Sequence, residues 1–294
     1  MQKTGKAQDS LIIFMCVLLL TFFSAAQTKA TRTADNHYFE SVQQRLIKDG
    51  FDSEKIKGLY SQPQVSFEAD GVTVFFTYSE AKVNYDQFAN DWSIRKAKEF
   101  MQTHKEALSR AENTYGVESR VITAILLVET GLGATLGEQS ALNTLSTMAS
   151  LMDPDVRNMF WEMIPDERRI PRKQFEKKAD RRSRWAYREL KAFLTYAYRE
   201  GFDPAEIPGS IAGAIGLAQF MPSNILAYAK DGNNDGAIDL LNHADSMASI
   251  ANFLKRHGWR PGISQKKAEK IIYYYNHSSY YVKTIIKIAN LLKA

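Results

Sequence analysis

The chain has 294 residues, of which 45% are hydrophobic and 24% charged, and its formal net charge is +5 at pH 7. These proportions are typical of a globular protein with ample core and exclude a disordered chain. Its single cysteine, Cys16, excludes a disulfide framework. The small positive excess suits contact with an anionic polymer or surface, but it does not distinguish among such partners.

The N-terminus has the pattern of a secretory signal peptide. Lys3 and Lys6 precede an apolar run over residues 11–23, and Ser24-Ala25-Ala26 offers small residues at cleavage spacing. The apolar run is too short for a comfortable membrane span. We therefore expect residues 1–26 to be a signal peptide of an exported protein. Contact with a membrane is expected only if this segment is retained as an anchor.

Residues 35–115 predict a small, mainly helical N-terminal region. Residues 35–62 carry apolar side chains at helical spacing, and residues 92–115 return to the same pattern. Between them, residues 65–78 alternate apolar and polar side chains around Asp70-Gly71. That alternation predicts a small β-hairpin.

The next predicted helix ends on a carboxylate. Residues 121–128 are almost all apolar, which predicts a helix buried on every side, and Gly131 and Gly133 then stop it. At the helix end, apolar surroundings and the helix dipole both disfavour the charged form of Glu129. A carboxyl group that keeps its proton near neutral pH is the general acid that cleavage of a glycosidic bond needs. The alternative is a glutamate that turns out to water.

Residues 153–184 form a proline-containing, basic segment, and a helix is predicted to resume from Arg184 to Gly201. The basic residues are Arg172, Lys173, Lys177, Lys178, Arg181, Arg182 and Arg184. They predict a cationic rim for an anionic ligand. The alternative is a solvated helix face, because the acidic residues Glu176 and Asp180 are interleaved with the basic ones. Nucleic acid is not an expected partner, since no nucleic-acid motif accompanies these charges.

A polar loop over residues 231–239 follows the calcium-loop pattern, with oxygen-bearing side chains at positions 1, 3 and 5, glycine at 6 and isoleucine at 8. The predicted ligands are Asp231, Asn233, Asp235 and, through its carbonyl, Ala237. Position 12 departs from the pattern, since Asn242 replaces the usual glutamate. Hard oxygen ligands favour calcium, with sodium at a weaker site. The alternative is a polar turn between two helices.

Three motifs in a fixed order carry a family resemblance. Glu129-Thr130 is followed by Gly-Leu-Ala-Gln-Phe-Met-Pro-Ser at 216–223 and by Tyr275-Asn276. The chain thereby resembles the lytic murein transglycosylases, specifically the membrane-bound lytic transglycosylase B family, over residues 35–293. The resemblance implies a predominantly helical α+β fold with a lysozyme-like catalytic domain of the goose-lysozyme/transglycosylase type. That domain is expected over 116–294, beside the smaller region 35–115.

The resemblance implies lytic cleavage of the MurNAc–GlcNAc β-1,4 bond of peptidoglycan, without water and with 1,6-anhydro-MurNAc ends. Glu129 matches the family's one catalytic glutamate, first acid and then base, and the nucleophile is the substrate's own hydroxyl. A tethered nucleophile has a large effective concentration, up to ~10⁵ M or more, so a second carboxylate is less needed. No cofactor is expected for the chemistry. The alternatives are a hydrolytic muramidase and a non-catalytic peptidoglycan-binding scaffold.

Further residues and partners follow from the resemblance alone. The implied substrate-binding residues are Ser210, Gln219, Tyr275, Asn276 and Tyr281. Asp245 is implied as the acid that closes the calcium loop. Residues 153–184 are where the chain departs most from that family, so the rim for anionic glycan or stem peptide is predicted from the basic residues themselves, with the solvated helix face as the alternative. The implied partners are peptidoglycan glycan strands and proteins of cell-wall synthesis or remodelling, and the implied location is the periplasm or cell envelope.

Overall fold

The chain folds chiefly into α-helices. The computed structural model describes residues 36–77 and 84–293, so the predicted signal peptide lies outside the described residues. The helices there are α1 (Glu40–Lys48), α2 (Ser53–Tyr60), α3 (Ala69–Thr77), α4 (Asp91–Thr103), α5 (Lys105–Tyr115), α6 (Ser119–Thr130), α7 (Ala141–Ser150), α8 (Pro154–Met163), α9 (Arg172–Glu200), α10 (Pro222–Tyr228), α11 (His243–Arg256), α12 (Gln265–Tyr275) and α13 (Ser279–Leu291). Across those ranges, none of the helices has the length and apolar character needed to span a bilayer.

The helices predicted on either side of the hairpin are confirmed, each as a pair. Gly50 separates α1 from α2, and the side chain of Asp52 caps α2 by accepting the Lys55 N–H at 2.8 Å. His104 interrupts the second helical stretch between α4 and α5. Gly116 then ends α5 in the left-handed conformation at φ 72°.

The hairpin predicted for residues 65–78 is wrong, since the described part of that segment contains the helix α3. Val72 and Phe76, one helical turn apart, are both buried, and Phe76 packs edge-on against Phe160 at 5.6 Å between ring centroids. β-Branched and aromatic residues favour strands only weakly, and packing against the rest of the fold overrides that preference. The apolar alternation therefore marked buried residues but not their secondary structure.

Helix α6 is buried on every side, as predicted: all residues from 121 to 130 are buried. Helices α4, α5, α11 and α13 pack against it. Full burial of one large aliphatic side chain contributes about 1.5–3 kcal/mol. The helix that carries Glu129 near its C-terminal end is therefore held firmly in the core. One hydrophobic cluster runs from Phe39 to Leu292, so the predicted regions 35–115 and 116–294 share a core.

Helix α9 is a single helix of 29 residues and begins earlier than the predicted start at Arg184. Pro171 precedes its first residue, where the missing proline N–H costs no hydrogen bond. A two-stranded antiparallel sheet, β1 (Gln139–Ser140) with β2 (Pro208–Gly209), joins the segment after α6 to the segment after α9. This pairing brings the glycine-rich stretch that starts at Gly209 beside the end of α6.

Candidate active site

Glu129 lies one residue before the end of α6 and is only 3% exposed. Burial raises the pKa of its carboxyl group to about 8. Gly131 closes the helix at φ 59°, and Gly133 follows at φ 96°. At this φ any residue with a Cβ atom is strained, and a Cβ atom on Gly133 would also lie 2.8 Å from a methyl carbon of Leu217, so glycine is favoured at this turn. The sequence thus places a carboxyl group that is protonated at neutral pH at the rim of a tight turn.

Tyr281 is the direct partner of this acid. Its hydroxyl donates a 2.7 Å hydrogen bond to Oε1 of Glu129. The Tyr281 N–H is itself held by the hydroxyl of Ser278, which caps α13. Burial and the neighbouring carboxylate raise the pKa of Tyr281 well above its ordinary value, so the phenol remains a donor. The hydrogen bond lowers the pKa of Glu129 and so acts against burial, the larger cause.

Gln219 lies in the loop before α10 and has a positive φ of 46°. Its amide nitrogen donates to the carbonyl of Gly216 at 3.0 Å and to that of Leu136 at 3.3 Å. The half-buried side chain therefore bridges its own loop and the loop that follows Glu129. Contact of Gln219 with substrate stays a prediction.

Ser210 closes a turn in the same glycine-rich stretch. Its hydroxyl oxygen accepts the N–H of Ala214 at 3.1 Å and that of Ala212 at 3.3 Å. It therefore supports loop geometry, as a serine cap does, although no helix begins there. Its contact with substrate also stays a prediction.

Tyr275 and Asn276 end α12 beside Tyr281. The Tyr275 hydroxyl donates a 2.6 Å hydrogen bond to the Ala218 carbonyl, and its ring lies parallel to that of Tyr281, with centroids 6.4 Å apart. Phe253 packs edge-on against Tyr275 at 5.0 Å. Asn276 is 3% exposed, and its side-chain nitrogen has no hydrogen-bond partner among the described residues. An unpartnered buried donor costs about 1–3 kcal/mol, so this N–H is a group that a ligand could satisfy.

Contacts of Leu217 and of Tyr85 at this site were not predicted from the sequence. The Thr130 hydroxyl lies 3.2 Å from the Leu217 carbonyl, while the Leu217 N–H donates to the Leu240 carbonyl at 2.8 Å. Tyr85, before α4, helps to raise the pKa of Tyr281 and stacks on Tyr280 at 6.4 Å. Thr130 and Leu217 both belong to the recognised motifs, which was the available signal. Tyr85 lies in a stretch without a motif.

In the polar loop, side-chain oxygens accept hydrogen bonds from backbone N–H groups of the same loop. The carboxylate of Asp231 accepts the N–H groups of Asn234 at 2.6 Å and Gly236 at 2.9 Å. Asp235 accepts the Ala237 N–H at 2.9 Å. Asn233 Oδ1 accepts the Asp235 N–H at 3.0 Å, and its amide nitrogen donates to Asp235 Oδ2 at 2.7 Å. The side-chain oxygens of positions 1, 3 and 5 are thereby gathered in one exposed loop.

Asp245 lies beneath this loop and is fully buried. Its two oxygens accept the Gly232 and Asp239 N–H groups, each at 2.8 Å, and burial raises its pKa. The side chain of Asn242, at position 12, caps α11 by accepting the Ala244 N–H. Residues 36–77 and 84–293 hold no group of three His, Cys, Asp or Glu side chains placed to bind a metal ion. A cation in this loop would therefore depend on the amide and backbone carbonyl oxygens as well as the carboxylates, which is the donor mixture calcium accepts.

Comparison with known proteins places these residues in a family context. The family model for the transglycosylase SLT domain matches residues 34–269. Membrane-bound lytic murein transglycosylase B of Escherichia coli (strain K12) is 33% identical over 176 residues. That alignment covers 60% of this chain and 41% of the relative, so the chain spans about two fifths of the relative's length.

Solved structures show the same fold. SltB1, a soluble lytic transglycosylase of Pseudomonas aeruginosa, has a TM-score of 0.71 at 23% identity and covers 86% of this chain and 97% of its own. Slt35 of Escherichia coli in complex with calcium has a TM-score of 0.68 at 22% identity, covering 88% and 93%. SltB3 of Pseudomonas aeruginosa in complex with NAG-NAM-pentapeptide has a TM-score of 0.69 at 18% identity, covering 87% and 79%. The predicted lysozyme-like, predominantly helical α+β fold is confirmed.

Proposed function

The chain belongs to the transglycosylase SLT domain family, and we propose that it is a peptidoglycan lytic transglycosylase that cleaves the MurNAc–GlcNAc β-1,4 bond without water. The observation that carries the proposal is the buried Glu129 carboxyl group, whose pKa is raised to about 8 and whose Oε1 accepts the Tyr281 hydroxyl. The name of the 33% identical relative, a lytic murein transglycosylase, supports the substrate class.

In the proposed mechanism, protonated Glu129 donates its proton to the glycosidic oxygen as the bond from that oxygen to the MurNAc anomeric carbon breaks. The resulting carboxylate, stabilised by the Tyr281 hydrogen bond, then removes the proton from the MurNAc 6-hydroxyl. The 6-oxygen bonds to the anomeric carbon and forms the 1,6-anhydro ring. Glu129 recovers its proton, so the cycle balances without water and without a cofactor.

The products test this mechanism. We expect muropeptides released from purified sacculi to carry 1,6-anhydro ends, each lighter by one water than its hydrolytic counterpart. In water enriched in heavy oxygen, these products should take up no label at the cleaved anomeric carbon, as mass spectrometry would show. Labelled reducing ends as the main products would identify a hydrolytic muramidase. No released product at all would support a non-catalytic scaffold.

The substrate-binding set is proposed to comprise Ser210, Gln219, Tyr275, Asn276 and Tyr281. Asn276 supports this set most directly, because its buried amide nitrogen has no partner within the described ranges and can donate to an acetamido or hydroxyl oxygen. Gln219 lies over the loop that follows Glu129, through its bond to the Leu136 carbonyl. The proposed partner is the glycan strand, together with proteins of cell-wall synthesis or remodelling. The proposed location is the periplasm or cell envelope.

We also propose that the polar loop binds one structural calcium ion through Asp231, Asn233, Asp235, the Ala237 carbonyl and Asp245, with sodium as the weaker occupant. The gathered oxygens of the loop support this proposal. The structure of Slt35 of Escherichia coli, which has the same fold, was solved in complex with calcium. Asp245 joins the two ends of the loop, since its oxygens accept N–H groups from Gly232 and Asp239.

Calcium is therefore expected to raise the melting temperature, because a ligand that binds only the folded state stabilises it by mass action. At a hundredfold excess over the dissociation constant, the rise should be about 5 °C or more. Asp235→Ala should abolish the rise and keep activity at low temperature, whereas Glu54→Ala, at a side chain 88% exposed and outside the loop, should keep the rise. Identical melting curves of the wild type in calcium and in chelator would contradict the metal assignment.

A further inference from the structure

The basic residues of α9 divide into two groups with different surroundings. Lys178 and Arg182 point inward and donate to the carbonyls of Phe76, at 2.5 Å, and Phe75, at 2.8 Å. The guanidinium of Arg182 also lies over the Phe75 ring, 4.0 Å from its centroid. These two cations therefore cap the C-terminal end of α3. The structure gives them a role in packing.

The carboxylates of the same stretch are already occupied. Glu176 pairs with Arg157 at 3.0 Å and with Arg172 at 2.6 Å. Asp180 accepts both guanidinium nitrogens of Arg184 at 2.6 Å. These pairs leave no acidic side chain on this stretch for the remaining cations.

Lys173, Lys177 and Arg181 are the cations left over. All three are exposed, and in the described part of the chain none forms an ion pair with a carboxylate. Burial is the larger cause of the lowered pKa values of Lys178 and Arg182, and the positive charge of Arg181 lowers both pKa values further.

These residues share one line on the helix with Arg184 and Arg188, which are also exposed. With 3.6 residues per turn, positions 173, 177, 181, 184 and 188 fall within an arc of about 80° and extend over about 22 Å. We call this line the basic ridge. Arg184 is paired with Asp180, whereas the other members form no ion pair with a carboxylate among the described residues, so the row carries a net positive charge.

We propose that the basic ridge binds the free carboxylates of the peptide side chains of peptidoglycan, at a surface separate from the catalytic residues. The proposal rests on the proposed function for its polymer. A pentapeptide such as that of NAG-NAM-pentapeptide ends in a carboxylate, and a peptide-bearing strand repeats such groups. Arginine binds carboxylates through two parallel hydrogen bonds, as Arg184 does with Asp180. Several weak contacts along one row give useful total affinity.

A lipid surface fits the ridge less well. Helices that lie in a membrane interface present an apolar face to the lipid beside their basic residues. Between Arg172 and Arg188, every aromatic and aliphatic residue of α9 is buried in the protein. The ridge therefore has positive charge but no exposed apolar face that could insert into a lipid membrane.

The ridge is also rigidly connected to the proposed substrate segment. Glu189, on α9 one residue beyond the ridge, accepts the backbone N–H and the hydroxyl of Ser223, each at 2.9 Å. Ser223 lies four residues after Gln219. A strand held on the ridge would thus be held at a fixed distance from the segment that carries Gln219.

The test measures binding to purified sacculi by co-sedimentation, in a Glu129→Gln background so that the polymer is not consumed. The ridge variant combines Lys173→Gln, Lys177→Gln and Arg181→Gln. We expect its affinity at low salt to fall about tenfold, since three exposed ion pairs of modest strength are lost. Binding of the protein with the intact ridge should also weaken more steeply with added salt than binding of the ridge variant.

The matched control variant combines Lys266→Gln, Lys267→Gln and Lys270→Gln, three exposed lysines of α12 with the same total charge change. The affinity of this control variant for sacculi should equal that of the Glu129→Gln protein without further substitutions. On sacculi whose carboxyl groups have been converted to amides, the ridge variant and its reference should bind equally. Equal melting temperatures would show that each variant is folded.

Three results would overturn the proposal: unchanged binding of the ridge variant, an equal loss in the control variant, or a loss seen only on phosphatidylglycerol–phosphatidylcholine vesicles. The last would identify a lipid surface. The proposed activity is judged separately, by product analysis with Glu129 intact. A ridge effect on binding together with hydrolytic products would refute the lytic mechanism and leave the ridge assignment standing.

Discussion

Glu129→Gln is expected to lower the rate of muropeptide release by at least ~10²-fold, the lower end of what general acid–base catalysis contributes. The amide keeps the shape of the side chain and can still accept the Tyr281 hydroxyl, but it has no acidic proton to donate. The variant should remain folded and should still bind sacculi. Release kinetics by chromatography of soluble muropeptides would measure the loss.

Glu138→Gln is the matched control for that experiment. Glu138 is an exposed carboxylate on the segment that follows the same turn, and it is the residue to which a water-activating role would otherwise fall. Its replacement should leave release close to the wild-type rate. Near wild-type release by Glu129→Gln, with a large loss in Glu138→Gln, would exclude Glu129 as the acid.

Glu129→Gln is also expected to stabilise the folded protein at alkaline pH. The pKa of this carboxyl group rises from its ordinary value of 4.5 to about 8 on folding, so between these values the folded state binds more protons than the unfolded state. The free energy of unfolding of the wild type therefore falls as pH rises through this window, and glutamine does not titrate. The full difference is about 5 kcal/mol, which corresponds to a melting temperature higher by on the order of 10 °C.

Melting curves of both proteins between pH 5 and pH 9, a window set by the same pKa shift, provide the measurement. The two curves should differ least at the acidic end and separate as pH rises. Glu54→Gln, at an exposed position, should follow the wild type throughout. A difference between wild type and Glu129→Gln that stays constant with pH would mean that burial does not raise the pKa of Glu129.

The sequence predicted secondary structure best where the local pattern of apolar residues agrees with the residues that the fold buries. Helix α6 was predicted from its apolar residues and its terminal glycines, and both the helix and the environment of Glu129 follow from that short stretch. The segment that became α3 shows the limit of this reasoning. Its apolar alternation fits a strand. The segment is nevertheless helical, because Phe76 packs against Phe160 of α8, which is far away in the sequence.

The site residues were identified through motif order, whereas their contacts depend on the folded chain. Tyr281 was identified only as a substrate-binding residue, and the structure shows that its hydroxyl donates to Oε1 of Glu129. The bonds of Gln219 to the Gly216 and Leu136 carbonyls could not be predicted, because they depend on how two loops meet. Tyr85 was missed for the same reason, since it approaches Tyr281 from the opposite end of the sequence.

Leu217 connects the polar loop to the C-terminal end of α6. Its N–H bonds to Leu240, at the exit of the polar loop, and its carbonyl faces the hydroxyl of Thr130, the neighbour of Glu129. The backbone at Leu217 cannot shift without disturbing a hydrogen bond on each side. Local opening of the polar loop and local opening around the acid should therefore belong to one cooperative event. An ion bound in the polar loop, which begins 102 residues after Glu129 (231 − 129), would then slow the fluctuations of the residue that donates the proton.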